Sequence, residues 1–218
     1  MSSFPNSPRV VKGGLVLLDP ASAQVQRVIA LQYNPDTLTR TLQAQHLGEG
    51  AERSEALRLK GPAVETLKLE AEIDAADQLE FPGQHKTVVA SGIASQLAVL
   101  ESLINPAAAD LLANQALAAA GTLEIAPMES ALVLFVWGAH RIVPVRVSDF
   151  SITEEAFDPS LNPIRAKVNL GLRVLSIDDL GFDHRGGNLF MAYLQSRERL
   201  ASKAATVGFE ALGLGGIP

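Results

Sequence analysis

The residues able to carry acid–base or metal chemistry are few and scattered. Histidine occurs at positions His46, His85, His140 and His184. None of them is spaced with a carboxylate or a second histidine in the way that metal ligands on one helix or loop are. His140 falls at an expected hairpin turn and reads as an exposed turn residue. Asp74, Asp77 and Glu80 approach the spacing of a calcium loop, but the glycine and closing glutamate of an EF-hand are out of register, so they read as a solvated strand end. Glu154-Glu155 and Asp178-Asp179 are adjacent carboxylates. Neighbours on a strand point to opposite faces, so neither pair can share a proton-transfer task. A hydrolase reading centres on Glu154 or Asp178, with no motif around either. No Gly-x-Ser-x-Gly elbow and no phosphate-binding glycine loop followed by lysine occurs, and Gly213, Gly215 and Gly216 sit in a terminal tail. With no cysteine, thiol catalysis, disulfides and thiolate metal sites are excluded. The expectation is a protein that is not an enzyme, with no catalytic, metal or cofactor-binding residue and no cofactor.

Composition points the same way. A chain of 218 residues that is 47% hydrophobic buries a substantial core as one elaborated domain. Its 24 acidic against 18 basic residues, a formal charge of −6, leave no basic excess for a phosphate backbone, so nucleic acid is not an expected partner. Aromatic residues make up 5% of the chain, too few for a stacking platform, and the single tryptophan, Trp137, reads as a core anchor at a strand end. Apolar runs such as residues 131–137 and 111–120 are far shorter than the roughly 20 residues of a membrane span. Residues 1–8 lack the order of a secretory signal, so assembly in the cytoplasm is expected.

The elements that would position any site are mostly strands. Residues 14–18 and 25–33 are apolar runs closed by Asp19-Pro20 and Asn34-Pro35 and read as a hairpin. Leu67, Leu69, Ala71 and Ile73 alternate with Lys68, Glu70, Glu72 and Asp74, and Ala166, Val168, Leu170, Leu172 and Val174 alternate with Arg165, Lys167, Asn169, Gly171 and Arg173. Both are half-buried strands. Residues 132–137 and 141–150 form a second hairpin about Gly138-Ala139-His140. Helical spacing places Ile93, Leu97, Leu100 and Ile104 on one stripe ending at Asn105-Pro106. Residues 107–120 have high helix propensity with Gly121 as a stop, and residues 189–204 form an amphipathic helix. Residues 43–62 read as a long polar loop and residues 151–163 as a second segment free to bind. The pattern predicts an α+β fold, a mostly antiparallel β-barrel or sandwich with one or two inserted helices and a C-terminal helix, the barrel closed or nearly so to remove sheet edges.

Two stretches resemble a known family. The first is Leu31-Gln32-Tyr33-Asn34-Pro35 with the following amphipathic strand of residues 65–75. The second runs from Leu134-Phe135-Val136-Trp137-Gly138 through Val145-Arg146-Val147 and Phe157-Asp158 to Asn162-Pro163-Ile164-Arg165-Ala166. Together they are similar to the tube-like, tube-initiator domain of contractile injection system baseplate proteins, related to contractile phage tail-tube proteins. The resemblance spans about residues 14–177. It departs from the family where Asn162 stands in place of the frequent glycine and where the residues after 177 show no LysM pattern. It implies an N-terminal arm (1–13), a tube-like domain (14–180), and a C-terminal helix and tail (181–218). It further implies a structural subunit forming a homohexameric ring at the baseplate and inner-tube junction. The partners would be further copies of itself, the inner-tube protein, the spike or hub protein and other baseplate components. A tube cap of the same particle and a small-molecule-binding β-barrel are the alternatives. The wet faces of the two long strands, with Lys68, Glu70, Glu72, Asp74, Arg165, Lys167 and Arg173, would line the lumen or pair subunits.

Overall fold

A computed structural model describes residues 10–20, 22–46, 57–121 and 130–217. Seven strands, β1 (Gly14–Leu18), β2 (Val25–Ala30), β3 (Leu38–His46), β4 (Leu59–Asp74), β5 (Leu132–Val136), β6 (Ile142–Phe157) and β7 (Pro163–Val174), form one sheet in the order β2-β1-β5-β6-β7-β4-β3. Every pairing is antiparallel. The strands β1 and β2, β5 and β6, and β6 and β7 are hairpins, as expected for short connections. Helices α1 (Ala76–Leu79), α2 (Lys86–Ser91), α3 (Ala94–Glu101) and α4 (Ala108–Ala119) lie between β4 and β5, and α5 (Ile177–Leu180) and α6 (Arg185–Ala201) follow β7.

The alternating strands read from the sequence behave as expected. Leu67, Leu69, Ala71 and Ile73 on β4, and Ala166, Val168, Leu170, Leu172 and Val174 on β7, are buried. They join Leu15 and Leu17 of β1, Phe135 of β5, Val143 and Val145 of β6, Ile93, Leu97 and Leu100 at α3, and Phe190 and Tyr193 of α6 in one apolar cluster. One face of the sheet is therefore gathered around a single core, with α3 and α6 filling it. β6 passes between the two halves and carries a register shift between Val147 and Asp149, a bulge of the kind that bends a strand. Its first part pairs with β5 through Ile142 to Val145, and the remainder pairs with β7 alone.

Four expectations are corrected. The sheet is not a closed barrel: β2 and β3 are its ends and do not pair with each other, because the core is filled by helices rather than by strands meeting around it. The loop expected over residues 43–62 is largely strand. Gln43 to His46 belong to β3 and Leu59 to Pro62 to β4, while residues 47–56 lie outside the described residues. Pro62 falls at the register shift between Gln43 and Gln45, where it has no strand partner, a position of the kind that tolerates proline in a sheet. Residues 151–157, expected as a free segment, continue β6. The stripe expected to reach Ile104 ends at Glu101, and Ile104 is half exposed. Residues 76–91 add two short helices that the spacing did not announce, and the C-terminal helix runs over Arg185–Ala201.

The family-like motifs hold the fold from within. The Asn34 carboxamide accepts from Gly13 N–H (2.9 Å) and donates to the Val11 carbonyl (2.9 Å), pinning the chain before β1. The Gln32 carboxamide donates to Asp74 O and accepts from Asp74 N–H, fixing the chain after β2 to the end of β4. Asp158 and Asn162 close the β6–β7 turn through their side chains. Gly92 lies at φ +55°, ψ −136° with its α-carbon against the Pro163 carbonyl, a position only glycine fills without strain. Its neighbour Ile93 donates to that carbonyl at 2.8 Å.

Candidate functional site

The second half of the sheet, β3-β4-β7 with residues 149–157 of β6, has one apolar face turned to the core and one polar face. Register places the polar residues in rows across the strands. Ser151, Asn169 and Glu70 stand side by side, then Thr153, Lys167 and Glu72, then Glu155, Arg165 and Asp74. Asp149, Gly171, Lys68 and Thr39 make a row four strands wide. Lys68, Glu70, Glu72, Asn169, Ser151 and Thr153 are exposed. The charges offset one another: Arg165 Nε lies 2.7 Å from Asp74 and 4.0 Å from Glu72, and Lys167 lies 3.6 Å from Glu155. Burial of Asp74 opposes its charge, but the Ala76 N–H at 2.7 Å and the Arg165 guanidinium outweigh it and hold the carboxyl below its usual range. The face is thus hydrophilic, broad and close to neutral. Such ion pairs add little stability at a surface.

Both margins of this half-sheet are open among the described residues. β3 pairs with β4 on one side only, and residues 149–157 pair with β7 only. Open edges present rows of unpaired N–H and C=O groups, a template for another strand.

Sequence reasoning missed a second feature, a carboxylate buried beneath α6. Glu65 is 4% exposed. Tyr193 Oη donates to it at 3.1 Å and 3.2 Å, Arg197 Nη1 lies 3.5 Å away, and Arg40 Nε lies 2.7 Å from Oε1. Arg40 Nε makes this contact off its N–H direction, as a charge contact without an aligned hydrogen bond. The Arg197 guanidinium also stands over the Tyr193 ring at 5.5 Å. Burial, together with the neighbouring Glu65 carboxylate, pushes the Tyr193 hydroxyl above the ordinary tyrosine range. With its lone pairs engaged by two arginines and a phenol, Glu65 has no free site for proton transfer; it fastens α6 to β3 and β4. An open groove of about 410 Å³ beside it is lined by Leu42, Pro62, Ala63, Leu194 and Ala201. Only tertiary pairing reveals this cluster, since Arg40 and Glu65 each occupy an inward strand position that reads as a broken apolar pattern.

The residues weighed for chemistry are dispersed. His184 accepts from Gly186 N–H at 3.0 Å and caps α6. Asp179 forms a capping box with Ser176 and pairs with Arg173 at 2.8 Å. Asp178 lies 3.4 Å from the Gln45 carboxamide. His140 stands in the β5–β6 turn, whose Trp137 N–H donates to Arg141 O, and the Trp137 ring stacks on Phe135 at 5.8 Å. Glu154 and Glu155 alternate on β6 as their adjacency requires. Among the described residues no group of three or more His, Cys, Asp or Glu side chains converges on a metal-sized site, and no helix is long and apolar enough to cross a membrane.

No protein-family model matches the chain, and neither does any curated protein sequence. Among solved structures the chain is similar to one from the tail of an empty GTA particle determined by helical refinement with C6 symmetry. The identity is 13%, over 74% of this chain and 90% of that one, with a TM-score of 0.27, a likeness too loose to carry an argument.

Proposed function

We propose that this chain is a non-catalytic, ring-forming subunit of a phage-tail-like contractile injection apparatus. In this reading six copies close around an axis, their polar half-sheets line a channel, and the ring joins spike or hub to inner tube. The observation that carries the reading is the half-sheet itself: four strands wide, one face packed on the core, the other hydrophilic and uncovered, both margins unpaired. A monomer with that surface leaves two strand edges exposed that identical copies can satisfy by a closing rotation. The balanced charge of the polar face suits a conduit that must let cargo pass without holding it. The family-like motifs named from the sequence support the same assignment.

The test is the assembly state. Concentrated purified protein, examined by native mass spectrometry and negative-stain electron microscopy, should contain closed six-copy rings with a central opening. A chain that stays monomeric, and is missing from any isolated tail-like particle, overturns the reading.

A further inference from the structure

We propose that the pocket enclosed by β3, the β5–β6 turn and α6 binds the phosphate group of a small phosphate monoester. The site stands apart from the ring reading, since every residue in it belongs to one copy. It is an open pocket of about 260 Å³, lined by Arg40 of β3, by Trp137, His140 and Arg141 of the turn, and by Arg197 and Leu200 of α6. Three elements distant in the chain thus bring three guanidiniums to one cavity, in a protein whose formal charge is −6.

Charge sets the class of ligand. Elsewhere on the sheet Arg165 is answered by Asp74, Lys167 by Glu155 and Arg173 by Asp179. Here the described residues supply a single carboxylate, Glu65, which lines the neighbouring groove rather than this pocket and is shared by Arg40 and Arg197. Arg141 has no ion pair among the described residues. Neither contact with Glu65 exhausts its arginine. Arg40 Nε lies 2.7 Å from Oε1 without an aligned hydrogen bond, and Arg197 Nη1 reaches Oε2 only at 3.5 Å. Each guanidinium carries five N–H donors, so both keep donors for the pocket side.

Three guanidiniums against one carboxylate leave two positive charges in excess. A phosphate monoester concentrates nearly two negative charges and three acceptor oxygens on one compact group, whereas a carboxylate brings one charge. The planar guanidinium fork matches phosphate oxygens two at a time. Arg40 and Arg197, both held to one carboxylate, stand close enough for a single such group to meet them together.

The donors are set before a ligand arrives. Trp137 N–H donates to Arg141 O at 2.8 Å and Gly138 turns the chain at φ +75°, while the Trp137 ring stacks on Phe135 at 5.8 Å. Arg197 is held over the Tyr193 ring at 5.5 Å. Side chains fixed in this way lose little freedom on binding. Trp137 and Leu200 supply an apolar wall for the organic part of the ester.

Trp137 is the single tryptophan of the chain, so its fluorescence reports on the pocket directly. Phenyl phosphate added to the full chain at constant ionic strength should change that emission to saturation. Inorganic phosphate should bind more weakly, and benzoate, the same ring with one negative charge, weaker by about tenfold or more. Arg141→Gln, which removes no ion pair of the fold, should weaken phenyl phosphate by about tenfold or more, the worth of one charge-assisted hydrogen bond. Arg165→Gln, an equal loss of charge on the outward face of β7, should leave the affinity unchanged. No saturable change, benzoate matching phenyl phosphate, or the two arginine variants behaving alike each overturns the site. Inorganic phosphate binding as tightly as phenyl phosphate overturns the ester assignment in favour of the free ion.

Discussion

Glu65 is the residue on which the C-terminal helix turns. Removing it leaves two guanidiniums facing an apolar groove without their counter-charge. Breaking a fully buried pair costs about 3–5 kcal/mol, but Arg40 and Arg197 keep 26% and 36% of their side chains exposed and can rehydrate. Glu65→Ala should therefore cost about 2–3 kcal/mol in urea unfolding, and an unchanged midpoint would contradict the latch. Tyr193 supplies a pH signature. Its folded-state hydroxyl titrates above the ordinary range, so the unfolded chain ionises first as pH rises. The stability tied to this group is complete below the unfolded-state value and is lost as pH climbs towards the folded one. Tyr193→Phe should remove that alkaline slope relative to the parent protein when unfolding free energy is followed across the tyrosine range; parallel curves would place the phenol in solvent. Neither role was legible in the sequence. Tyr193 read as one more apolar residue of a helical stripe, and Glu65 as the first residue of a strand, because a charge at an inward position is explained only by its partner across the sheet.

At the scale of elements, strands with one clean apolar face were legible and strands with mixed faces were not. β4 and β7 alternate without interruption over their shared ladder, so period two announced them. β3 went unread because Arg40 breaks its inward row. The end of β6 went unread because Glu154 breaks its inward row after Phe150 and Ile152. Of the two expected inserted helices, the one read from an apolar stripe packs and the one read from propensity alone does not: α3 buries Leu97 and Leu100, whereas α4 buries nothing and leaves Leu112 66% exposed. Leu97→Ala should destabilise by about 2–5 kcal/mol and Leu112→Ala by less than about 0.5 kcal/mol, and equal costs would show that α4 packs as a core helix. The turn before α3 offers a sharper probe. Gly92→Ala forces a side chain into an unfavourable conformation and against the Pro163 carbonyl, and should cost about 1–3 kcal/mol. A neutral result would mean that this turn relaxes freely.

For the whole molecule, the sequence carried the α+β class, the antiparallel bias and the core face of the two long strands. It misplaced the closure. A sequence with many alternating strands must dispose of its edges, and a barrel within one chain was the expected solution. The chain instead fills its core with α3 and α6 and leaves two margins beside a polar face, which in the ring proposed above transfers closure to the assembly. That claim is measured most directly by hydrogen exchange of the backbone amides as the protein is concentrated. The account predicts that amides on the outer edge of β3 and on residues 149–157 exchange quickly in dilute protein and become protected together as rings form, while those on the open side of β2 stay unprotected. Assembly that protects β2 instead, or leaves the margins of β3 and β6 exchanging at their dilute rates, would contradict it.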